Sequence, residues 1–248
     1  MTGLTPSLAV VIPAFNEQSR LPATLGRIVA WRSSHARLAE ILVVNDGSRD
    51  ATAELARAFA DAHTTPQLAI RVLDNPGNRG KGYSVRHGVL EATADWILFS
   101  DADLSSPIEE CDKLLAAAGD RCQVAFGSRA LNRSLIGVHQ PVLRENAGRV
   151  FNLCMRLITG LPFSDTQCGF KLFRRDAARE IFRRQRIDRF GFDVEILYLA
   201  RKLGCRAVEV PVRWDHAAGT KVSMFGDSLN MFADLWRVRR NDWKGLYR

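Results

Sequence analysis

The chain has 248 residues, of which 46% are hydrophobic and 25% are charged, and this composition is typical of one ordinary globular domain. No apolar run approaches the ~18 residues that a membrane-spanning helix needs. The first residues lack the basic segment and the long apolar segment of a secretory signal. We therefore expect a cytoplasmic chain that does not itself span a bilayer.

Charge is distributed unevenly along the chain, whose formal net charge is +8. Residues 1–124 hold 12 basic and 15 acidic side chains, whereas residues 125–248 hold 23 basic and 12 acidic ones. The basic C-terminal half predicts contact with an anionic partner. The alternative is codon bias, because 29 of the 35 basic residues are Arg and a surface Arg needs no partner.

The cysteines are five in number, scattered, and never spaced as CxxC. An odd, scattered set argues against a disulfide framework and against a structural zinc site. This usage predicts a reducing compartment.

Short β-branched runs alternate with longer amphipathic ones in the N-terminal half. Strands are predicted at residues 8–13, 40–45, 68–73, 96–100 and 123–127, and helices at residues 17–31, 50–62, 80–93 and 107–118. This alternation predicts βαβ units and a mostly parallel α/β sheet that binds its ligand at the carboxyl ends of the strands. Beyond residue 127 the alternation stops, with helices predicted at residues 142–159, 193–203 and 227–240 and strands at residues 171–173 and 206–214.

Two acids follow the fourth predicted strand, Asp101 and Asp103 in the segment DAD. Two carboxylates on one loop can together hold Mg²⁺ or Mn²⁺ against a diphosphate. The alternative is that they cap the helix that begins near Pro107. Neither GxGxxG nor GxxxxGK[ST] is present, so a nucleotide would need other groups to hold its phosphates.

Two further segments follow strand ends. Asp46, in VVNDGS, is predicted either to bind a base or ribose or to form an Asp-Gly turn. The segment NRGKG, with Lys81, places two cations and two glycines at a helix start, where amides and the helix dipole favour phosphate. A plain glycine loop is its alternative.

Five segments, in this order and spacing, resemble the family 2 glycosyltransferases of GT-A fold: VVIPAFNE, VVNDGS, NRGKGYSVRHGVL, FSDADLSSP and SDTQCGFKLF. Within that family they resemble the enzymes that move a sugar onto polyprenyl phosphate, the dolichyl-phosphate β-glucosyltransferases and, as near relatives, the dolichyl-phosphate mannose synthases. The resemblance implies one GT-A domain over residues 1–215, with residues 216–248 as an amphipathic extension that associates with a membrane.

The resemblance also implies a donor site for a nucleotide sugar. Its residues would be Pro13, Phe15, Glu17, Val44, Asp46, Lys81, Asp101, Ala102, Asp103, Ser105 and Lys221, with Asp101 and Asp103 meeting Mg²⁺ or Mn²⁺. Ser105 stands where the mannose synthases have glutamine, which favours UDP-glucose over GDP-mannose.

On the acceptor side the resemblance assigns the lipid phosphate to Arg129, Arg149 and Asn152. It implies Asp193 as a catalytic acid residue alongside Asp103, with Glu195 and Asp165 as positioning residues. A helix-start acid favoured by the macrodipole is the alternative for Asp193. Because residues at i and i+2 of a helix lie on different faces, we expect at most one of Asp193 and Glu195 to point into the site.

Contact with a lipid substrate would be peripheral, on the cytoplasmic face of a membrane, or assisted by a small membrane partner. Two amphipathic stretches fit the headgroup region, residues 142–159 and residues 224–244, and core-facing stripes are the alternative for both. Two other functions stay open: transfer to a saccharide hydroxyl, and nucleic-acid binding by the basic half. The second lacks a recognition motif and leaves DAD and NRGKG unexplained, so we expect no nucleic-acid partner.

Overall fold

The computed structural model describes residues 6–119, 122–138, 142–215 and 226–248, and it describes the backbone alone at residues 142–147 and 226–229. The strands are β1 (Leu8–Ala14), β2 (Leu38–Asn45), β3 (Ala69–Asp74), β4 (Trp96–Ser100), β5 (Val124–Ser128), β6 (Ile136–Val138), β7 (Phe170–Arg174), β8 (Ala207–Pro211) and β9 (Trp214–Asp215). The helices are α1 (Leu21–Arg32), α2 (Thr52–His63), α3 (Lys81–Glu91), α4 (Cys111–Ala117), α5 (Val142–Thr159), α6 (Arg175–Arg184), α7 (Phe192–Lys202) and α8 (Gly226–Trp243).

The main sheet has the strand order β3-β2-β1-β4-β7-β5-β8, and β6 pairs with β9 in a small second sheet. All neighbours in the main sheet are parallel except β7, which runs antiparallel between β4 and β5. The predicted mostly parallel α/β sheet is confirmed. The reversed direction of β7 was not predicted, because a short apolar run carries no information about strand direction.

Helices cover both faces of the sheet, and each face has its own buried core. On one face Leu21, Leu25 and Ile28 of α1 pack with the even-numbered side chains of β1. On the other face Val11 and Val44 lie directly under Gly88 of α3, where an added Cβ would come within 2.5 Å of Val11 Cγ1. This close approach brings α3 down onto β1 and β2.

The carboxyl ends of three strands meet at one edge of the sheet. Strand β1 is hydrogen-bonded to β2 on one side and to β4 on the other, both in parallel. The segments PAFNE, NDGS and DAD begin at these three ends, and NRGKG enters α3 beside them. The fold therefore brings together the polar segments that the sequence pointed to, and we call this region the donor edge.

Helices α5 and α8 pack against each other near the C-terminal end of the chain, with the rings of Phe151 and Phe232 in edge-on contact at 5.3 Å. In the part of the chain that the structure describes, no helix is both long enough and apolar enough to cross a membrane.

Candidate active site

Asp46 organises the loop that leads into α3. Its Oδ1 accepts hydrogen bonds from Asn75 Nδ2 and from the backbone N–H of Arg79, both at 2.8 Å, and its Oδ2 accepts one from the N–H of Gly80 at 2.8 Å. The side chain is buried. With these three donors, the Asp46 carboxylate fixes the shape of the NRGKG segment. The contact of Asp46 with a base or ribose stays a prediction.

Lys81 and Asp101 form an ion pair at the donor edge, with 2.6 Å between Nζ and Oδ1. Burial lowers the pKa of the Lys81 ammonium, but the carboxylates of Asp101, Asp193 and Asp103 outweigh it and raise that pKa above its ordinary value. Burial also raises the pKa of Asp101, helped by Asp103 and Asp193 and opposed by Lys81. The three acids and the lysine thus share one electrostatic environment.

The segment DAD offers two carboxylates to a metal ion. Asp101 and Asp103 are both partly exposed, and Asp103 Oδ1 accepts a hydrogen bond from the N–H of Ser105 at 2.9 Å. Ala102 is buried, and its carbonyl accepts a hydrogen bond from Thr24 Oγ1 at 2.6 Å. No cluster of three or more acid, His or Cys ligands occurs among the described residues. Two hard oxygen ligands fit Mg²⁺ or Mn²⁺ that takes its other ligands from a diphosphate and water.

Gly169 lies against the Asp101 carboxylate and was not predicted as a site residue. A Cβ at this position would lie 2.0 Å from Asp101 Oδ2, and the carbonyl of Gly169 accepts the N–H of Asp101 at 3.1 Å. The Asp101 carboxylate therefore occupies the space that a side chain at Gly169, in the segment QCGFK, would fill. A glycine directly before a strand was the only signal in the sequence.

The predicted base and ribose residues lie at the ends of β1 and β2. Pro13 pairs with Val44 in the sheet, and the Val44 side chain is completely buried under α3, so only its backbone faces the edge. Glu17 is buried and accepts two hydrogen bonds from the Arg20 guanidinium, at 2.7 and 2.8 Å. Phe15 is half-buried beside it.

Asp193 lies in the first turn of α7 and is bound to Lys171 of β7. Both side chains are buried, at 4% and 0% exposure. Glu195, two residues later, points elsewhere and accepts hydrogen bonds from the N–H groups of Arg186 and Ile187. The expectation that these two acids face different ways is confirmed.

Arg129 is bound by Asp165 in the fork geometry. Its Nε and Nη2 donate to the two carboxylate oxygens at 2.7 and 2.9 Å, and the guanidinium lies 5.4 Å from the Trp214 ring centroid. Burial alone would raise the pKa of Asp165, but Arg129 lowers it to about 2. A guanidinium has five N–H donors, so Asp165 leaves three for another anion.

The other predicted acceptor residues, Arg149 and Asn152, lie on α5. Arg149 is exposed, and Asn152 Nδ2 donates to the carbonyl of Phe163 at 3.2 Å. Lys221, which was predicted for the donor site, lies outside the described residues.

Comparison with known proteins identifies the family of the chain. The model of the family described as "Glycosyl transferase family 2" matches residues 9–182. The dolichyl-phosphate β-glucosyltransferase of Drosophila melanogaster is 36% identical over 93% of this chain and 74% of its own length. The enzyme of the same name from Homo sapiens is 31% identical over 98% of this chain and 78% of its own length.

Among solved structures, glucosyl-3-phosphoglycerate synthase from Mycobacterium tuberculosis, crystallised with Mn²⁺, UDP-glucose and glycerol 3-phosphate, superposes with a TM-score of 0.67. It is 18% identical, and the match covers 94% of this chain and 80% of that one. This likeness confirms the predicted GT-A fold. By its family model and by relatives more than 30% identical over most of their length, the chain belongs to glycosyl transferase family 2.

Proposed function

We propose that this chain transfers glucose from UDP-glucose to a dolichyl-type polyprenyl phosphate and inverts the anomeric configuration. The observation that carries the proposal is the donor edge, where Asp101, Asp103, Lys81 and Asp46 meet at the ends of β1, β2 and β4, in a chain whose relatives bear the corresponding name. The proposed donor agrees with the UDP-glucose bound in a structure of the same fold.

Asp101 and Asp103 would hold Mg²⁺ or Mn²⁺, and the Mn²⁺ present in the structure of the same fold favours this assignment. When bound, the cation would neutralise charge on the leaving nucleotide diphosphate. Lys81, 2.6 Å from Asp101, would supply a second positive charge to the same diphosphate. Asp46 would contribute by holding the backbone of NRGKG in the shape that faces the phosphates.

The acceptor needs little help with proton transfer. A lipid phosphate is ionised at neutral pH, so its attack on the anomeric carbon depends on positioning and on charge neutralisation more than on a base. Arg129, with three N–H donors left by Asp165, and Arg149 and Asn152 on α5 are the proposed phosphate ligands. Asp193 would orient a reacting group rather than remove a proton, and its ion pair with Lys171 supports this role.

A radiolabelled transfer assay tests the proposal. Label from UDP-glucose, in the presence of Mn²⁺, is expected in the organic phase only when dolichyl phosphate is added, with unphosphorylated dolichol as the control. Parallel reactions with GDP-mannose test the donor. Transfer to a soluble glycan without lipid, or preferential use of GDP-mannose, would contradict the proposal.

We also propose that α5 and α8 dock on the cytoplasmic face of an anionic membrane, where the lipid substrate lies. Val150, Leu153 and Leu157 share one face of α5 and are exposed at 57%, 59% and 76%, while Phe151 and Met155 face the core. On α8, Trp236 and Trp243 are exposed at 60% and 69%. Exposed aromatic and aliphatic side chains beside arginines suit the headgroup region.

Vesicle flotation tests this docking. The double variant L153E/L157E is expected to bind vesicles that contain phosphatidylserine about tenfold or more weakly. The reason is that two leucine side chains buried in the bilayer contribute several kcal/mol to the free energy of membrane binding. The matched control is L55E, which changes an exposed leucine on α2. Equal binding by L153E/L157E and L55E would contradict the proposal.

A further inference from the structure

A lysine occupies the buried centre of β7, the strand that runs antiparallel through the sheet. Lys171 is 0% exposed and pairs across the sheet with Phe99 of β4 and Phe126 of β5, which are both completely buried. An ammonium in such a place costs several kcal/mol in lost hydration unless other groups compensate it. The groups that contact the Lys171 ammonium therefore indicate its role.

Three groups surround the Lys171 ammonium. Its Nζ donates to the carbonyl of Cys168 at 2.6 Å and to Asp193 Oδ1, and it lies 5.4 Å from the centroid of the Phe99 ring. The ammonium of Lys81 lies at the same distance, 5.4 Å, from the same ring. Two lysines thus approach one aromatic ring, and each holds a different aspartate: Lys171 binds Asp193 and Lys81 binds Asp101.

Stability alone does not explain the buried pair, because an apolar pair of similar volume would pack there at no greater cost. The position of Asp193 does explain it. Lys171, which binds Asp193, and Lys81, which binds Asp101, each have their ammonium 5.4 Å from the centroid of the Phe99 ring, so the Asp193 carboxylate lies close to the donor edge. Its Oδ1 is held by Lys171, and among the described residues no hydrogen bond reaches Oδ2.

We propose that Lys171 is a positioning residue of the transfer reaction, which holds Asp193 by Oδ1 as a charged group and leaves Oδ2 to a reacting partner at the donor edge. This inference rests on the proposed glycosyl transfer. Lys171 itself touches no substrate and acts through Asp193.

A double-mutant cycle tests the proposal with the variants K171Q, D193N and K171Q/D193N, each checked by thermal unfolding. K171Q is expected to lower kcat by about tenfold or more while the KM for UDP-glucose changes less than about twofold. If Lys171 acts through Asp193, replacing it in the D193N background lowers kcat no further. Each single variant leaves one buried charge without its partner, whereas K171Q/D193N has two neutral amides that can bond each other. The double variant is therefore expected to be more stable than either single variant and to keep the low kcat of D193N.

The outcomes separate this inference from the proposed function. A wild-type chain that transfers no glucose to lipid phosphate contradicts the function. A wild-type chain that does so, with losses from K171Q and D193N that multiply in the double variant, contradicts the role of Lys171 and leaves the function intact. Recovery of kcat in K171Q/D193N would also contradict it. If K171Q alone does not fold, equal kcat in D193N and K171Q/D193N supports the proposal, and a further loss contradicts it.

Discussion

The position of the Asp101 carboxylate at the donor edge depends on two neighbouring residues. The carboxylate binds the Lys81 ammonium and occupies the space that a Cβ at residue 169 would fill, so both its charge and its direction are set by neighbours from distant parts of the chain. A residue that binds a metal is useful only when its oxygens are held in place, and here a glycine supplies the room and a lysine supplies the balancing charge.

Gly169→Ala tests this arrangement. The added Cβ would lie 2.0 Å from Asp101 Oδ2, so the carboxylate must turn away, and we expect the affinity for Mn²⁺ in the presence of UDP to fall by about tenfold. The backbone of Gly169 needs no positive φ, so the variant is expected to fold. Titration of Mn²⁺ followed by electron paramagnetic resonance measures the affinity, and an unchanged value would contradict the assignment of Asp101.

The pair of Asp165 and Arg129 predicts a pH dependence of stability. Because the pKa of Asp165 is held at about 2, below its usual 3.8, the group stabilises the fold fully above about pH 4 and loses this contribution as the pH falls toward 2. The contribution is about 2 kcal/mol in the free energy of unfolding. Urea unfolding of wild type and D165N should differ most above pH 4 and converge toward pH 2. A difference that does not change with pH would argue against this ion pair.

At the scale of elements, hydrophobic periodicity predicted the strands and helices of the N-terminal half because each buries an apolar face of regular spacing. It missed α6, where only Ala177, Ala178, Ile181 and Phe182 form the buried stripe and the rest is charged. Because Asp46 and Asp101 directly follow predicted strands, the sequence also predicted that both would lie at the carboxyl edge of the sheet. The partners of Asp46, the side-chain amide of Asn75 and the backbone N–H groups of Arg79 and Gly80, belong to a distant loop and could not be predicted without the fold.

Lys171 is a different case, because its signal was present in the sequence. A lysine between Phe170 and Leu172, in a run that otherwise reads as a buried strand, indicates a compensated charge in the core. The identity of the partner was the missing part. Asp193 lies 22 residues further along the chain and on another element, so only the packing of α7 against the sheet brings the two together.

The start of α3 is an element whose position depends on close packing. At Gly82 an added Cβ would lie 2.6 Å from the carbonyl of Ile187 and 2.7 Å from Phe192 Cβ, so Gly82→Ala must push α3 away from its neighbours. We expect this overpacking to cost about 1–3 kcal/mol in urea unfolding and to raise the KM for UDP-glucose.

Gly26→Ala is the matched control for Gly82→Ala. Gly26 lies inside α1 with open space around its Cα, so this variant should gain about 0.5–1 kcal/mol of stability and leave the KM unchanged. A destabilised G26A, or a fully stable G82A, would contradict the packing described here.

At the scale of the whole molecule, hydrogen bonds connect the C-terminal end of the chain to the donor edge. Tyr247 is buried and donates to Glu195 Oε1 at 2.5 Å, and Glu195 in turn accepts the N–H groups of Arg186 and Ile187. The next carbonyl, that of Asp188, accepts the N–H of Tyr83 in the first turn of α3. The segment after α8, the helix that we propose to dock on a membrane, therefore supports the loop on which NRGKG rests.

Tyr247→Phe tests whether this support reaches the donor site. The variant removes a short hydrogen bond to a buried carboxylate and should cost about 1–3 kcal/mol in the free energy of unfolding. Because the released Glu195 also holds the loop at Arg186 and Ile187, we expect the KM for UDP-glucose to rise severalfold while the kcat changes little. Steady-state kinetics measure both constants, with stability followed by urea unfolding.

Tyr198→Phe is the control that distinguishes a specific effect of Tyr247 on the donor site from a general loss of stability. Tyr198 lies on α7 and donates to Asp242 of α8 at 2.5 Å, a bond of the same kind as that of Tyr247, but it makes no hydrogen bond to Glu195. We therefore expect Y198F to lower stability without changing the KM. A rise in KM in both variants would mean that any weakening of the contact between α7 and residues 242–247 disturbs the donor site. A rise in neither variant would mean that the path from Tyr247 through Glu195 carries no coupling to the donor site.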